Sequence, residues 1–217
     1  MSRSRIRASQ ETSMDAAITA KPRDRIVATA RGLFRKHGLR GIGVDAIAEA
    51  ADTNKMTLYR HFRSKDDLVV ACLRQVAEEA NGLWDRLAAA HPGDAMAQLR
   101  TWLRQGGGCG GPDGRGCSIT NAAIELTEQE HPARQVIAGF KRGQRDRLAQ
   151  LCRDAGIKAA DTLADTLILM LEGARVSRQT MGPDGLASKF VVSAESVIAA
   201  FANTQAKPAG AKAKARA

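Results

Sequence analysis

Aromatic side chains are scarce in this chain: one tyrosine, two tryptophans and five phenylalanines, 4% of 217 residues. A sheet-built interior is disfavoured, because aromatic and β-branched side chains are what pack well on a pleated surface. No apolar run approaches the roughly 20 residues of a membrane-spanning helix. No basic start leads into an apolar signal core. Arg3, Arg5 and Arg7 among serines would suit a transit peptide, but Glu11 and Asp15 follow closely. The expectation is a soluble, cytoplasmic protein with no membrane partner. Cysteines stand only at 72, 109, 117 and 152, which does not read as a disulfide framework in a chain of this length. The four histidines (37, 61, 91 and 131) lie at helix ends or in a short basic helix. None pairs with Cys or Glu at a ligand spacing, so neither a metal site nor a cofactor is expected.

What is present reads as a folded, helical protein. Hydrophobic residues make up 44% and charged residues 26%, a globular balance. Alanine runs such as Ala88-Ala89-Ala90 favour helices, since alanine loses no side-chain entropy there. The net charge of +10 is unevenly placed. Residues 1–63 carry 13 Lys and Arg against 6 Asp and Glu; residues 64–206 carry 16 against 17; residues 207–217 carry 4 against none. A nearly neutral body with a basic head points to a polyanion partner for the head. Residues 1–20 read as a disordered basic arm, and 206–217 as a disordered basic tail.

From Pro22 the pattern sharpens. Ile26, Val27, Ala30, Leu33 and Phe34 line one face of a helix that Gly38 stops. Val44, Ile47, Ala48 and Ala51 mark a second, short helix. Asp52-Thr53-Asn54 reads as a tight turn, with Asn54 as N-cap of a third helix from Lys55 to about Phe62. That helix has Leu58 and Phe62 on one side and basic, aromatic and hydroxyl side chains on the others. Ser64 and Asp67 form a capping pair for a long helix running to about His91. Further helices are expected over 94–105, 119–126, 132–154, 160–180 and 186–203, about nine in all, with no convincing strand. Cys72 and Cys152 fall on inward faces as small core residues. Val136, Phe140, Leu148 and Leu151 are the expected inward positions of the 132–154 helix.

Three helices with a short turn between the second and third suit a helix-turn-helix, whose second helix enters the major groove. The stretch from Gly43 to Leu68 resembles the DNA-binding signature of the TetR family of bacterial transcriptional regulators. Ile47-Ala48, Thr57-Leu58-Tyr59, Phe62, Ser64-Lys65 and Leu68 fall at that family's spacing. The resemblance covers residues 22–70 and implies an all-α protein. A DNA-binding domain over 21–64 would precede an effector-binding and dimerisation domain over 65–205. Three positions depart from the family. Gly43 stands where a hydroxyl residue usually opens the second helix, Asp52 where the turn usually has glycine, and His61 where an aromatic usually meets phosphate. Aspartate tolerates left-handed geometry better than most residues.

Under this reading Lys55, Met56, Thr57 and Arg60 face the groove. An arginine can hold guanine by two hydrogen bonds. Tyr59, His61 and Lys65 bind phosphates, helped by Arg23 and the Gly43–Val44 amides. The resemblance also implies a small-molecule effector, touched by Trp84, Trp102, Leu103 and Phe140 and by polar Asn121 and Glu125. Cys117 joins them through a shorter likeness, Gly116-Cys117 to Asn121-Ala122-Ala123, to one subgroup. The last two helices are rich in apolar residues and would pair two subunits into a homodimer on a near-palindromic DNA operator. The expected function is a ligand-responsive repressor, with no catalytic residue. The glycine-rich stretch from Gly106 to Cys117 lacks the Gly-Lys-Ser/Thr of a phosphate loop. Its Cys109 and Cys117 leave two alternatives open, a thiol-redox-controlled DNA binder or a thiol-dependent enzyme. A third alternative is a DNA-packing protein acting by charge.

Overall fold

A computed structural model describes residues 21–107 and 115–203. The expected arm 1–20, the tail 206–217 and Cys109 lie outside the described residues. Among those described there are nine α-helices and no strand: α1 Pro22–His37, α2 Val44–Ala50, α3 Lys55–His61, α4 Lys65–Ala90, α5 Ala95–Gly107, α6 Ser118–Glu125, α7 Ala133–Asp154, α8 Ala160–Met181 and α9 Phe190–Asn203. The all-α expectation is met. One difference lies before α9. The segment expected as a helix from Leu186 opens with a 3-10 turn, Leu186–Lys189. The Ser188 amide and hydroxyl both donate to the Gly185 carbonyl, at 3.0 and 2.8 Å, and this local bonding tightens the backbone.

The chain divides into two compact units. The first holds described residues 21–79 with Ser118–Ala138, and the second holds 80–107, 115–117 and 139–203. The first unit takes in the opening of α4, as far as Glu79. The reason is packing. Ile26, Val27, Ala30 and Phe34 of α1 are buried, as are Ile47 and Ala48 of α2, Leu58 of α3, Phe62, and Leu68, Val69, Cys72 and Leu73 of α4. The Arg31 guanidinium also grips the Glu79 carboxylate with two hydrogen bonds of 2.6 Å. Leu58 is 0% exposed, so truncating it to alanine should cost about 2–5 kcal/mol.

The core of the second unit gathers Leu87, Leu99, Trp102, Leu103, Leu148, Cys152, Leu163, Leu167, Leu171, Phe190, Ala194 and Ile198. Arg145 fastens α7 to α8 by bonding Asp161 and Asp165. Along α7 the inward register is shifted from expectation. Ile137 is buried while Val136 and Phe140 are only half-buried; Leu148 and Leu151 are buried as expected. Exposed apolar side chains concentrate late in the chain, at Leu169, Val176, Met181, Leu186 and Val192. By length and composition alone, Leu186–Asn203 could cross a membrane (18 residues, mean hydropathy 1.2). Its Phe190, Ala194 and Ile198 pack inward, however, and Lys189 and Glu195 interrupt it.

Candidate nucleic-acid interface

The site is built on α1 to α3 and the start of α4. Gly43 is the N-cap of α2 and supplies no side-chain bond, so the first amides of that helix have no hydroxyl partner. At the other end of α2 the Asp52 amide donates to the Glu49 carbonyl and the Thr53 amide to the Ala48 carbonyl, both at 3.0 Å. This pair of bonds needs a left-handed residue between them. Asp52 supplies it with φ 48°, the one positive φ among described non-glycine residues. Gly156 (φ 81°) serves the same motif after α7.

The turn is also held from outside. Arg25 Nε donates to the Ala51 carbonyl at 2.8 Å, and Nη2 to the Asp52 carbonyl at 2.9 Å. Arg25 was not among the expected site residues. Its partners lie 26 and 27 positions away, and a bond from a side chain to distant backbone leaves no sequence pattern. The expected caps are in place. Asn54 Oδ1 accepts from the Thr57 amide at 2.8 Å. Ser64 Oγ accepts from the Asp67 amide at 3.1 Å, while Asp67 accepts from the Arg63 amide rather than from Ser64 itself.

These supports leave α3 with Leu58 fully buried and the opposite side open. Met56 is 76% and Tyr59 43% exposed; Lys55, Arg60 and His61 are exposed, and Thr57 and Lys65 are half-buried. Arg60 makes no hydrogen bond or ion pair among the described residues, which leaves its donors available. Lys55 is differently placed. Its ammonium meets the Asp45 carboxylate of α2 at 3.0 Å. That hydrogen bond raises its pKa above the usual lysine value, so Lys55 must leave Asp45 to reach a base. The Arg23 guanidinium lies over the Phe62 ring at 5.4 Å, an attractive cation–π contact. It remains half-exposed beside the start of α1.

The expected effector residues are divided between the two units. Trp84, Trp102, Leu103, Cys117 and Phe140 belong to the second unit, while Asn121 and Glu125 belong to the first. Trp102 and Leu103 are core, at 6% and 0% exposure, so a ligand reaches them only if the packing opens. Trp84 is half-buried and donates its indole N–H to Gln144 at 3.0 Å. Asn121 and Cys117 are half-buried. Glu125 has a structural role. It accepts the Leu39 amide at 2.6 Å, close over Gly38, where φ is 77° and a Cβ would meet the carboxylate at 2.8 Å. Burial pushes the Cys72 thiol up to about 12 and the Cys152 thiol up to about 11. Neither forms a useful fraction of thiolate at neutral pH.

Residues 26–72 match the family described as bacterial regulatory proteins, tetR family, the stretch that holds the turn, the caps and the open face of α3. The head of the chain thus carries the TetR-family signature, and the likeness extends to solved TetR-type regulators. It is similar to a TetR-family transcriptional regulator from Streptomyces coelicolor, with 26% identity over 83% of this chain and 95% of that one and a TM-score of 0.77. A TetR-type regulator from Streptomyces avermitilis is 28% identical over 84% and 99% of the two chains, with a TM-score of 0.69. A TetR-family regulator from Agrobacterium tumefaciens shares the fold at 21% identity, covering 83% and 97%, with a TM-score of 0.70. No curated protein matches the chain. Members of the family are DNA-binding regulators rather than enzymes.

Proposed function

We propose that this chain is a TetR-family regulator, a cytoplasmic repressor that binds a near-palindromic operator as a homodimer and is released by a small-molecule effector. The observation that carries the reading is the face of α3. Met56, Tyr59, Arg60 and His61 stand open on a helix anchored by Leu58 and by a turn that Arg25 clamps. Arg60 reads a base, with Met56, Thr57 and a released Lys55 beside it. Tyr59, His61, Lys65, Arg23 and the Gly43–Val44 amides hold phosphates. Residues 21–64 act as the DNA-binding domain and 65–205 as the effector-binding and dimerisation domain.

Dimerisation is favoured by the exposed apolar residues of α8 and α9, Leu169, Val176, Met181 and Val192. Scattered surface hydrophobics need no explanation, but a concentration on two consecutive helices does. Two reading helices roughly 34 Å apart would then fit successive major-groove turns. Effector release is a coupling between sites. A coupling of about 1–3 kcal/mol would change operator affinity roughly 5–150-fold. The ligand must bind the two states of the protein differently to have this effect. Titration of the protein onto a selected duplex, against excess competitor DNA and across a salt series, tests the reading. A repressor keeps a large preference for its operator at every salt concentration. A packing protein loses all binding alike as salt rises.

A further inference from the structure

The inward stripe of α8 ends in two arginines. Ala164, Leu167 and Leu171 are buried at 0%, 0% and 6% exposure. Arg175 and Arg178 continue the same stripe at helical spacing, four and seven positions beyond Leu171. The face with Leu169 and Val176 is the opposite one, so these arginines are not part of the exposed apolar surface. Their Nε atoms are the two buried side-chain nitrogen or oxygen atoms without a hydrogen-bond partner among the described residues. Two other half-buried guanidinium groups each make two hydrogen bonds, Arg25 to two carbonyls and Arg31 to Glu79. Glu172 Oε1 accepts from both Arg175 Nη1 and Lys141 Nζ, each at 2.7 Å. Arg178 has no carboxylate within ion-pair distance among the described residues.

A buried donor without a partner loses the hydration free energy of that group, and the loss is larger for a charged one. Two such donors on one helical face, where the stripe above them is leucine, mark a place made for an acceptor. A guanidinium fork matches a carboxylate with parallel hydrogen bonds. Leu171 is one turn away and meets α5 closely. A Cβ at Gly106 would lie 3.3 Å from Leu171 Cδ1 and 3.8 Å from Phe190 Cε1. The donors thus border the apolar core.

We propose that Arg175 and Arg178 recognise the carboxylate of an amphipathic organic acid, whose apolar part reaches the buried Leu171 and Phe190 as the packing there opens. This deepens the effector reading and rests on it for the link to DNA release. The test uses the purified full-length protein with sodium octanoate and sodium benzoate, and with 1-octanol and benzyl alcohol as neutral counterparts, by titration calorimetry and thermal melts. The acids should bind about tenfold or more tightly than the alcohols, and Arg175→Met and Arg178→Met should each remove about tenfold, as expected for losing a charge-assisted bond. Alcohol binding should not change. Arg178→Met should melt no lower than the parent, because the donor it removes has no partner. A marked fall in its melting temperature would make Arg178 a structural residue and overturn the proposal. So would acid binding that both methionine variants leave intact, or no acid binding at all. Operator affinity separates the two readings. Arginine-dependent acid binding that leaves DNA affinity unchanged keeps the anion site and overturns the effector role. DNA release by a neutral ligand that ignores both arginines keeps the effector role and overturns the anion site.

Discussion

Replacing Asp52 tests how the turn before α3 is held. At φ 48° a side chain with a Cβ is opposed by roughly 1–2 kcal/mol, with aspartate at the low end because it tolerates this region. Asp52→Gly removes that opposition but gives the unfolded chain more freedom, worth about 0.5–1 kcal/mol. The net should be a gain of up to about 0.5 kcal/mol. Asp52→Val places a β-branched residue where it is least tolerated, and should lose about 1 kcal/mol. The two variants should therefore differ by about 1–1.5 kcal/mol, or roughly 2–6 °C in melting temperature for a chain of this size. The Asp52 carbonyl still accepts from Arg25 in both, so the comparison isolates the backbone. Thermal melts and operator titrations together form the assay. The glycine variant should bind DNA at least as well as the parent, since it also removes a negative charge from the head, and the valine variant should bind less well. If valine is as stable as glycine, the turn does not depend on left-handed geometry at this position.

Arg60→Ala should relax sequence preference at one base position by about 1–3 kcal/mol, whereas Lys65→Ala should weaken all duplexes alike and lower the salt slope by about one; binding to operator and random DNA across a salt series separates them. Arg25→Met should weaken all duplexes and destabilise the head by about 1–3 kcal/mol, the range for hydrogen bonds from a charged donor, read by chemical denaturation. The Arg31 guanidinium holds the Glu79 carboxyl below its usual range. The pair's contribution should be full above the unfolded glutamate value of about 4.3 and lost as pH falls through the lower folded value. Glu79→Gln should flatten that acid limb, by at most about 1 kcal/mol because the carboxylate is half-exposed. Leu169→Glu with Val176→Glu should yield monomers by light scattering while leaving the helical content unchanged.

The head was legible because its signals are local. Asn54 and Ser64 cap helices that begin one residue later, and Leu58 and Phe62 differ by one helical turn. The structure places all four as the sequence suggests. Asp52 was legible for the same reason, since few residues suit a left-handed turn. What the sequence hid is non-local. Arg25 reads as one more cation of a basic head until its carbonyl partners are placed. Glu125 takes the Leu39 amide across 86 positions of sequence, which leaves no local pattern. Phe140 looked inward by periodicity, but neighbouring Ile137 takes the buried position, because a helix stripe a hundred degrees wide admits either register. Arg175 and Arg178 look like ordinary surface cations in sequence, and only their burial sets them apart.

Selection of bound fragments from genomic DNA, followed by protection mapping of the enriched duplex, decides whether this chain reads an operator as a dimer. One near-palindromic motif should be enriched. Its half-sites should be centred about one helical turn apart, or a multiple of it, and be protected by two subunits. Fragments with no common sequence, or a single unpaired half-site occupied by one subunit, would contradict it.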